Sequence, residues 1–552
     1  MNRMNSISSR IFSRLSLTTF LTCSRTVFLT ASLTVFALGA GSITAGTPAG
    51  STAALMAKEA DAVKDQTVGI KDKAAAVVSK AKAVVAPKGI PEHYSKIEYP
   101  EFTYQPPYPK DYRIVLDRGV VAYLVPDTTL ALIQMTVFFG HPNLPKKPGD
   151  VAAMSLYSSM LKAGGTLRFK PEQLEDTLEF VAASLGAGVG DYQSEVGLDA
   201  LRKDAYNLFD LLPEVALQPR FDPEVFKVQK RAYLENLHHR YDTPNGVMGV
   251  AYEHIMYGSH PSNWMATEKE IQPLVPARLK ALTGSGYAVK NMVIGVAGQF
   301  DRADMIAHLN KFISKFPADY TTPSDSIPPF AGPESPGVYI IDKQVTQATI
   351  KLGAPGVKRP NPDYYPLVVA SYIFGDGGFT SRLMETVRSN EGLAYGIDSD
   401  VGSDYYRRST VSVSLQTKVE TGAYAVKIVL SEMRRMAKDG VTDVELQRAK
   451  DGLVKSLPAM FDTPSATARV FAQGEIWKRS PEHYKEYIDV INKMTKAEVE
   501  AAFRKYFNPD SMRIVVVGPK DQLMKTDERN QAALSHFGGV RELSLQDIEA
   551  RK

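Results

Sequence analysis

The chain of 552 residues has a single cysteine, Cys23, and it falls within the first 45 residues. A mature protein without that segment would be cysteine-free, which excludes disulfides, thiolate zinc sites and a cysteine nucleophile together. The same absence suits an oxidising compartment such as the bacterial periplasm. Phe20-Leu21-Thr22 before Cys23 is a poor lipid-attachment context. Net charge is scarce too. Residues 1–45 hold Arg3, Arg10, Arg14 and Arg25 and no acid, so these account for the whole formal charge of +4. A neutral body without a basic stripe interleaved with aromatics excludes a nucleic-acid groove. There is no Gly-x-Ser-x-Gly elbow, and 375-GDGG-378 lacks the Gly-Lys-Ser/Thr of a Walker loop. None of the nine histidines begins a His-x-x-Glu-His motif. His238 and His239 are adjacent on a helical pattern and point about 100° apart, so they cannot chelate together as i, i+4 residues would. His254 follows Glu253, but Val250 stands where a first histidine would be needed.

What is present begins with an arginine-bearing start, an uncharged run from Thr26 to Ala45, and small residues around Ala37 to Ser42 and Ile43 to Ala45. This is the shape of a secretory signal peptide over 1–45, and it predicts export. An uncleaved membrane anchor and a mitochondrial presequence compete with it. A presequence should be amphipathic, whereas 27-VFLTASLTVFALGA-40 is apolar nearly all round. Residues 46–98 are rich in Ala, Lys and Val and read as a solvated, partly helical spacer. They lack the Trp and Phe anchors of a membrane-surface helix.

From Tyr112 the pattern turns to strands: two runs in 112-YRIVLDRGVVAYLVPD-127, then 130-LALIQMTVFFG-140. Helical patterns dominate to about residue 280, broken by the Gly-rich 184-SLGAGVGDYQSEVGLDA-200, and the strand 292-MVIGVAGQF-300 closes this half. The proline-rich stretch 316–337 reads as a linker. After it the same order restarts, with strand 338-VYIIDKQVTQATIKLGAP-355, helices from about 362, and the closing strand 512-MRIVVVGP-519. The closing strands share their apolar pattern, so the chain is an internal duplication of roughly 200-residue units. The expected fold class is α+β, with two α/β-layer domains at 99–315 and 338–530, each an antiparallel-rich sheet packed with helices, and a C-terminal tail at 531–552.

The two halves, the opening 116-LDRGVVAYLV-125, and 381-SRLMETVRSNEGLAYGI-397 together resemble the insulinase (pitrilysin) family of zinc peptidases. The likeness is closest to its bacterial and mitochondrial processing-peptidase-like branch and covers about residues 110–525. In that family the first-half helix carries His-x-x-Glu-His, whose histidines bind zinc and whose glutamate activates a zinc-bound water. Alignment on Met160-Leu161 and the following glycine pair places this motif on 155-SLYSS-159. Ser155, Ser158 and Ser159 stand in the ligand and base positions, and a neutral hydroxyl is neither a good zinc ligand nor a base of useful pKa. The family's third ligand falls on Glu235, and its assisting glutamate on Val228. One carboxylate cannot hold zinc alone, so the resemblance implies no metal and no cofactor on this chain.

A second signature survives. Arg388 and Tyr395, in 388-RSNEGLAY-395, have the spacing of the pair that family members use to hold the substrate backbone across from the metal. A guanidinium and a phenol can donate to a peptide carbonyl and to a developing oxyanion. From the residues alone the same positions also read as an exposed arginine at a helix end and a buried strand tyrosine. The resemblance implies a non-catalytic subunit of a heterodimeric zinc peptidase, inactive alone and forming half of a clamshell. A homologous partner would supply His-x-x-Glu-His and the zinc, and the substrate would be a peptide or unfolded protein. The rival reading is an inert scaffold or interaction protein of the same fold. A self-sufficient peptidase is disfavoured by the three serines.

Overall fold

The structure, a computed structural model, describes residues 103–284, 286–318, 328 and 332–549. They belong to one compact unit, Glu101–Lys552. The expected signal peptide and spacer, and the middle of the proline-rich linker, lie outside the described residues. Among the described residues no helix is long and apolar enough to cross a membrane.

Two six-stranded mixed sheets packed by helices form the architecture. The first contains β1 (Arg113–Val115), β2 (Val121–Pro126), β3 (Leu132–Gly140), β4 (Ser184–Val189), β5 (Gln193–Leu201) and β6 (Met292–Gly298). Their order is β1-β2-β6-β3-β5-β4, antiparallel except for the parallel β2–β6 pair. The second contains β7 (Gly337–Asp342), β8 (Gln347–Pro355), β9 (Ile397–Val401), β10 (Thr410–Lys418), β11 (Arg513–Gly518) and β12 (Val540–Glu542). Its order is β12-β7-β11-β8-β10-β9. Position by position, β7, β11, β8, β10 and β9 repeat β2, β6, β3, β5 and β4, with β7–β11 again parallel.

The outermost strand differs. In the first sheet β1 comes from the preceding hairpin, whereas in the second β12 comes from the chain's C-terminal end and pairs parallel with β7. The segment 531–552, expected as a tail, therefore completes a sheet. Leu534 and Ile548 are buried, and the Leu543 N–H donates to the Ile340 carbonyl at 2.9 Å. An exposed edge at β7 would leave a row of backbone groups unpaired, which a short covering strand avoids.

Helices α1 (Asp150–Ala163) and α2 (Pro223–His238) belong to the first half. Ala152, Leu156, Tyr157 and Met160 of α1 join Ile133, Met135, Val137 and Phe139 of β3 in one core. The opposite face of that sheet is covered from the other half of the chain. α3 (Pro244–Tyr257) lies on the second sheet, where Val247, Met248, Ala251 and Tyr252 meet Tyr339, Ile341, Val515 and Val517. Reciprocally, α7 (Pro464–Ile476) lies on the first sheet, where Phe471 and Ala472 meet Tyr123, Phe138 and Val293. Helices α4 (Tyr364–Ser371), α5 (Gly422–Asp439) and α6 (Asp443–Ser456) belong to the second half.

This exchange explains why β6 and β11 read as unbroken apolar runs: each is buried on both faces, by its own half's helices and by the borrowed one. A Cβ on Gly295 of β6 would stand 2.9 Å from the Ala468 carbonyl oxygen of α7, so glycine permits the close approach. Each borrowed helix starts alike. Asp242-Thr243-Pro244 and Asp462-Thr463-Pro464 put threonine at the N-cap, where its hydroxyl accepts from Gly246 N–H and Ala466 N–H, both at 3.1 Å. Neither half closes its core alone, so the units 99–315 and 338–530 are interlocked rather than separable.

Candidate functional site

The three serines occupy one region of α1. Ser155 and Ser159 are exposed and Ser158 half-buried. The Ser158 hydroxyl accepts from the Val189 N–H at the end of edge strand β4, at 2.9 Å, and the Ser159 hydroxyl donates to the Leu156 carbonyl at 3.1 Å. These hydroxyls serve the local backbone. α2 packs on α1, and on its exposed surface Glu235 lies 4.0 Å from His239 while Val228 is 60% exposed. Among the described residues no three His, Cys, Asp or Glu side chains are placed together to hold a metal.

Arg388 and Tyr395 are brought together in the second half. The helix after the glycine turn runs as a π-helical turn over Met384–Asn390, a wider winding that recurs at functional sites. Its start is pinned from below: Arg382 donates Nε and a terminal nitrogen to the two Glu445 oxygens at 2.6 and 2.8 Å, and to the Gly440 carbonyl at 2.9 Å. Met384 and Val387 are buried, and Arg388 emerges half-exposed at the end.

The Arg388 guanidinium carbon lies 4.6 Å from the Tyr395 ring centre and 4.6 Å from that of Phe379. Tyr395 is 84% exposed and Phe379 67% exposed. The buried strand tyrosine that the residues alone also allowed is not what forms. Phe379 was not legible as a site residue. It is presented by a short turn, Gly378–Thr380, whose Gly378 has a φ of 60°, the left-handed region that glycine adopts without penalty. Among the described residues, neither a carboxylate nor a hydrogen-bond acceptor engages the Arg388 side chain. Its N–H groups stay available while the two rings hold the charge.

Just beyond Tyr395 the sheet carries acid. Asp398 and Asp400 of β9 alternate with buried Ile397 and Ser399, and Asp376 lies close to both. Burial lifts all three carboxyls above the usual range, and repulsion from Asp400 adds to the rise in Asp376 and Asp398; Lys351 partly offsets it for the β9 pair.

A family described as Peptidase M16 inactive domain matches residues 276–453, which span the linker and the Arg388–Tyr395 region. A Bacillus subtilis (strain 168) protein, uncharacterized zinc protease YmxG, is 20% identical over 400 residues, 72% of this chain and 96% of its own length. Over most of its described length the chain is similar to proteins of the M16, or insulinase, family. A further relative, the Helicobacter pylori (strain ATCC 700392 / 26695) non-peptidase homolog YmxG, is 24% identical over 338 residues, 60% of this chain and 75% of its own. The crystal structure of a peptidase M16 inactive domain from Pseudomonas fluorescens superposes with a TM-score of 0.66 at 24% identity, covering 74% of this chain and 97% of that one. The M16 fold is thus shared across the two sheets, while the serine positions distinguish this chain from a zinc-binding member.

Proposed function

We propose that this M16 chain is the non-catalytic subunit of a two-chain zinc peptidase. It presents Arg388 and Tyr395 to a peptide, or to an unfolded protein segment, held at the active site of a homologous partner that carries His-x-x-Glu-His and the zinc. The observation that carries the reading is the Arg388 guanidinium, stacked at 4.6 Å on each of two exposed rings and engaged by no acid among the described residues. A side chain held in place with its donors unspent suits transient recognition of a carbonyl or oxyanion. Tyr395 adds a phenolic donor alongside. The three serines remove the means of activating water on this chain, so the chemistry must come from elsewhere. Residues 1–45 would direct the chain to the periplasm and be removed there.

The test is affinity capture of the tagged chain from a periplasmic fraction. The proposal expects a mature chain beginning after the leader, together with a stoichiometric homologue containing His-x-x-Glu-His. Recovery of the full-length chain from the cytosol, or of no such homologue, contradicts it.

A further inference from the structure

Away from the serines and from Arg388, a second group of cations lacks an acid among the described residues. Arg359 stands shortly before α4, with its guanidinium carbon 4.1 Å from the Tyr364 ring centre and 4.8 Å from that of Tyr405. Arg479, just past α7, lies 4.6 Å from the Trp477 ring and 5.5 Å from the same Tyr405 ring. Trp477 and Tyr405 are themselves stacked, 5.0 Å apart and within 2° of parallel.

All the hydrogen-bond acceptors these guanidiniums use are neutral. Arg359 donates to the Ser403 and Tyr365 hydroxyls at 3.1 and 3.2 Å, and Arg479 to the Tyr405 and Tyr484 hydroxyls at 2.9 and 3.0 Å. The Arg359 Nε and one terminal nitrogen of Arg479 have no acceptor among the described residues. Carboxylates close in sequence are committed elsewhere. Asp404 accepts from the Tyr406 and Arg407 backbone and from the Arg407 side chain, and Glu482 accepts from the Tyr108 hydroxyl at 2.6 Å. Both arginines are half-buried.

Ring faces compensate a cation only in part, and hydroxyls do not neutralise it. Two such charges around one ring are a costly arrangement unless an anion joins them. His483, the first residue of α8 (His483–Lys493), feels the same field. Burial, then Arg479 and Arg359, push its imidazole down to about 3, so it stays neutral and keeps a ring nitrogen available.

We propose that Arg359 and Arg479 form a binding site for a dianionic oxyanion, a phosphate group, seated at the Tyr405 ring with His483 beside it. Guanidinium forks match the oxygen spacing of phosphate, and two of them balance its charge. The site is independent of the peptidase reading and requires no partner chain.

The probe is inorganic phosphate, titrated into the purified chain against chloride at constant ionic strength. The readouts are the fluorescence of Trp477, one of two tryptophans in the chain, and the ring resonances of His483. The expected result is a saturable change in both, with His483 becoming more basic as phosphate binds. Arg359→Gln and Arg479→Gln should each weaken binding at least about tenfold. Lys227→Gln, an exposed lysine on α2, should leave it unchanged. If one glutamine variant does not fold, the other decides. No saturable phosphate response in the unaltered chain, or equal binding by folded glutamine variants, would show that the stack is structural and overturn the proposal.

Discussion

Among the described residues Arg388 is held by two rings and by no acid, and that determines what its neighbours should do when changed. Tyr395→Phe removes one exposed hydroxyl without opening a cavity and should lower turnover of the reconstituted complex roughly 10- to 1000-fold, as loss of an oxyanion donor does. Arg388→Ala should cost a similar amount and also raise KM, because a charge-assisted bond to the peptide acts in ground and transition states alike. Phe379→Ala leaves every donor in place but frees the guanidinium on one side. It should cost about tenfold, mostly in turnover, for the loss of a positioned group. Steady-state kinetics on an intact complex checks all three, and unchanged values would leave Arg388 a surface residue. The Arg388–Tyr395 pair was legible because both lie in one continuous local motif. Phe379 was not, because its position depends on a turn whose geometry no side-chain pattern encodes. The Ser158 bond to Val189 was equally hidden, since its partner comes from a strand that reaches α1 only through the fold.

Among the elements, the junction of the π-helical turn with α6 carries a dependence on pH. Burial alone would raise the Glu445 carboxyl, but bonds from Arg382 and from Thr442 outweigh it and hold it at about 2, against an ordinary 4.5. Both side chains are largely enclosed, at 12% and 20% exposure. The folded value lies below the unfolded one, so this stabilisation is full above about pH 4.5 and is lost as pH falls towards 2. It amounts to something on the order of 3 kcal/mol. Glu445→Gln should therefore lower Tm at pH 7, with the gap to the unaltered protein closing below pH 4. A gap independent of pH would contradict the assignment. On α1, Ser155→His, Ser158→Glu and Ser159→His together place two imidazoles one helical turn apart, with Glu235 on the adjoining α2. Metal analysis should then find one zinc per chain, against none in the parent. Turnover should stay low while Val228 remains and the Val189 N–H has lost its hydroxyl. Failure to take up zinc would mean that α1 and α2 no longer sit at ligand spacing. The helical nature of α1 followed from its apolar periodicity and closing glycines. The π-helical winding near Arg388 did not, because a single wide turn leaves the apolar spacing almost unchanged.

At the scale of the molecule, duplication was readable from the matched closing strands, but the exchange of α3 and α7 was not. Periodicity identifies a buried face without naming the sheet that buries it. The paired Asp-Thr-Pro steps at Thr243 and Thr463 were the available signal, since they are separated by the same interval as Met292 and Met512. With Phe471 and Tyr252 seated on the opposite half's sheet, residues 103–316 expressed alone should be aggregated or molten. The two halves co-expressed as separate chains should assemble into a soluble pair, which size-exclusion chromatography and near-UV circular dichroism would reveal. A cooperatively folded single half would contradict the interlocked core. The proposed two-chain peptidase puts the zinc on a second chain and the Arg388 guanidinium on this one. The most direct test is cleavage of an unstructured peptide by this chain, by its His-x-x-Glu-His homologue, and by the two mixed, with zinc counted in each. The account predicts no cleavage and no stoichiometric zinc for this chain alone, little cleavage by the homologue alone, and strong zinc-dependent cleavage by the pair that falls with Arg388→Ala. Equal cleavage by the homologue with and without this chain would contradict it.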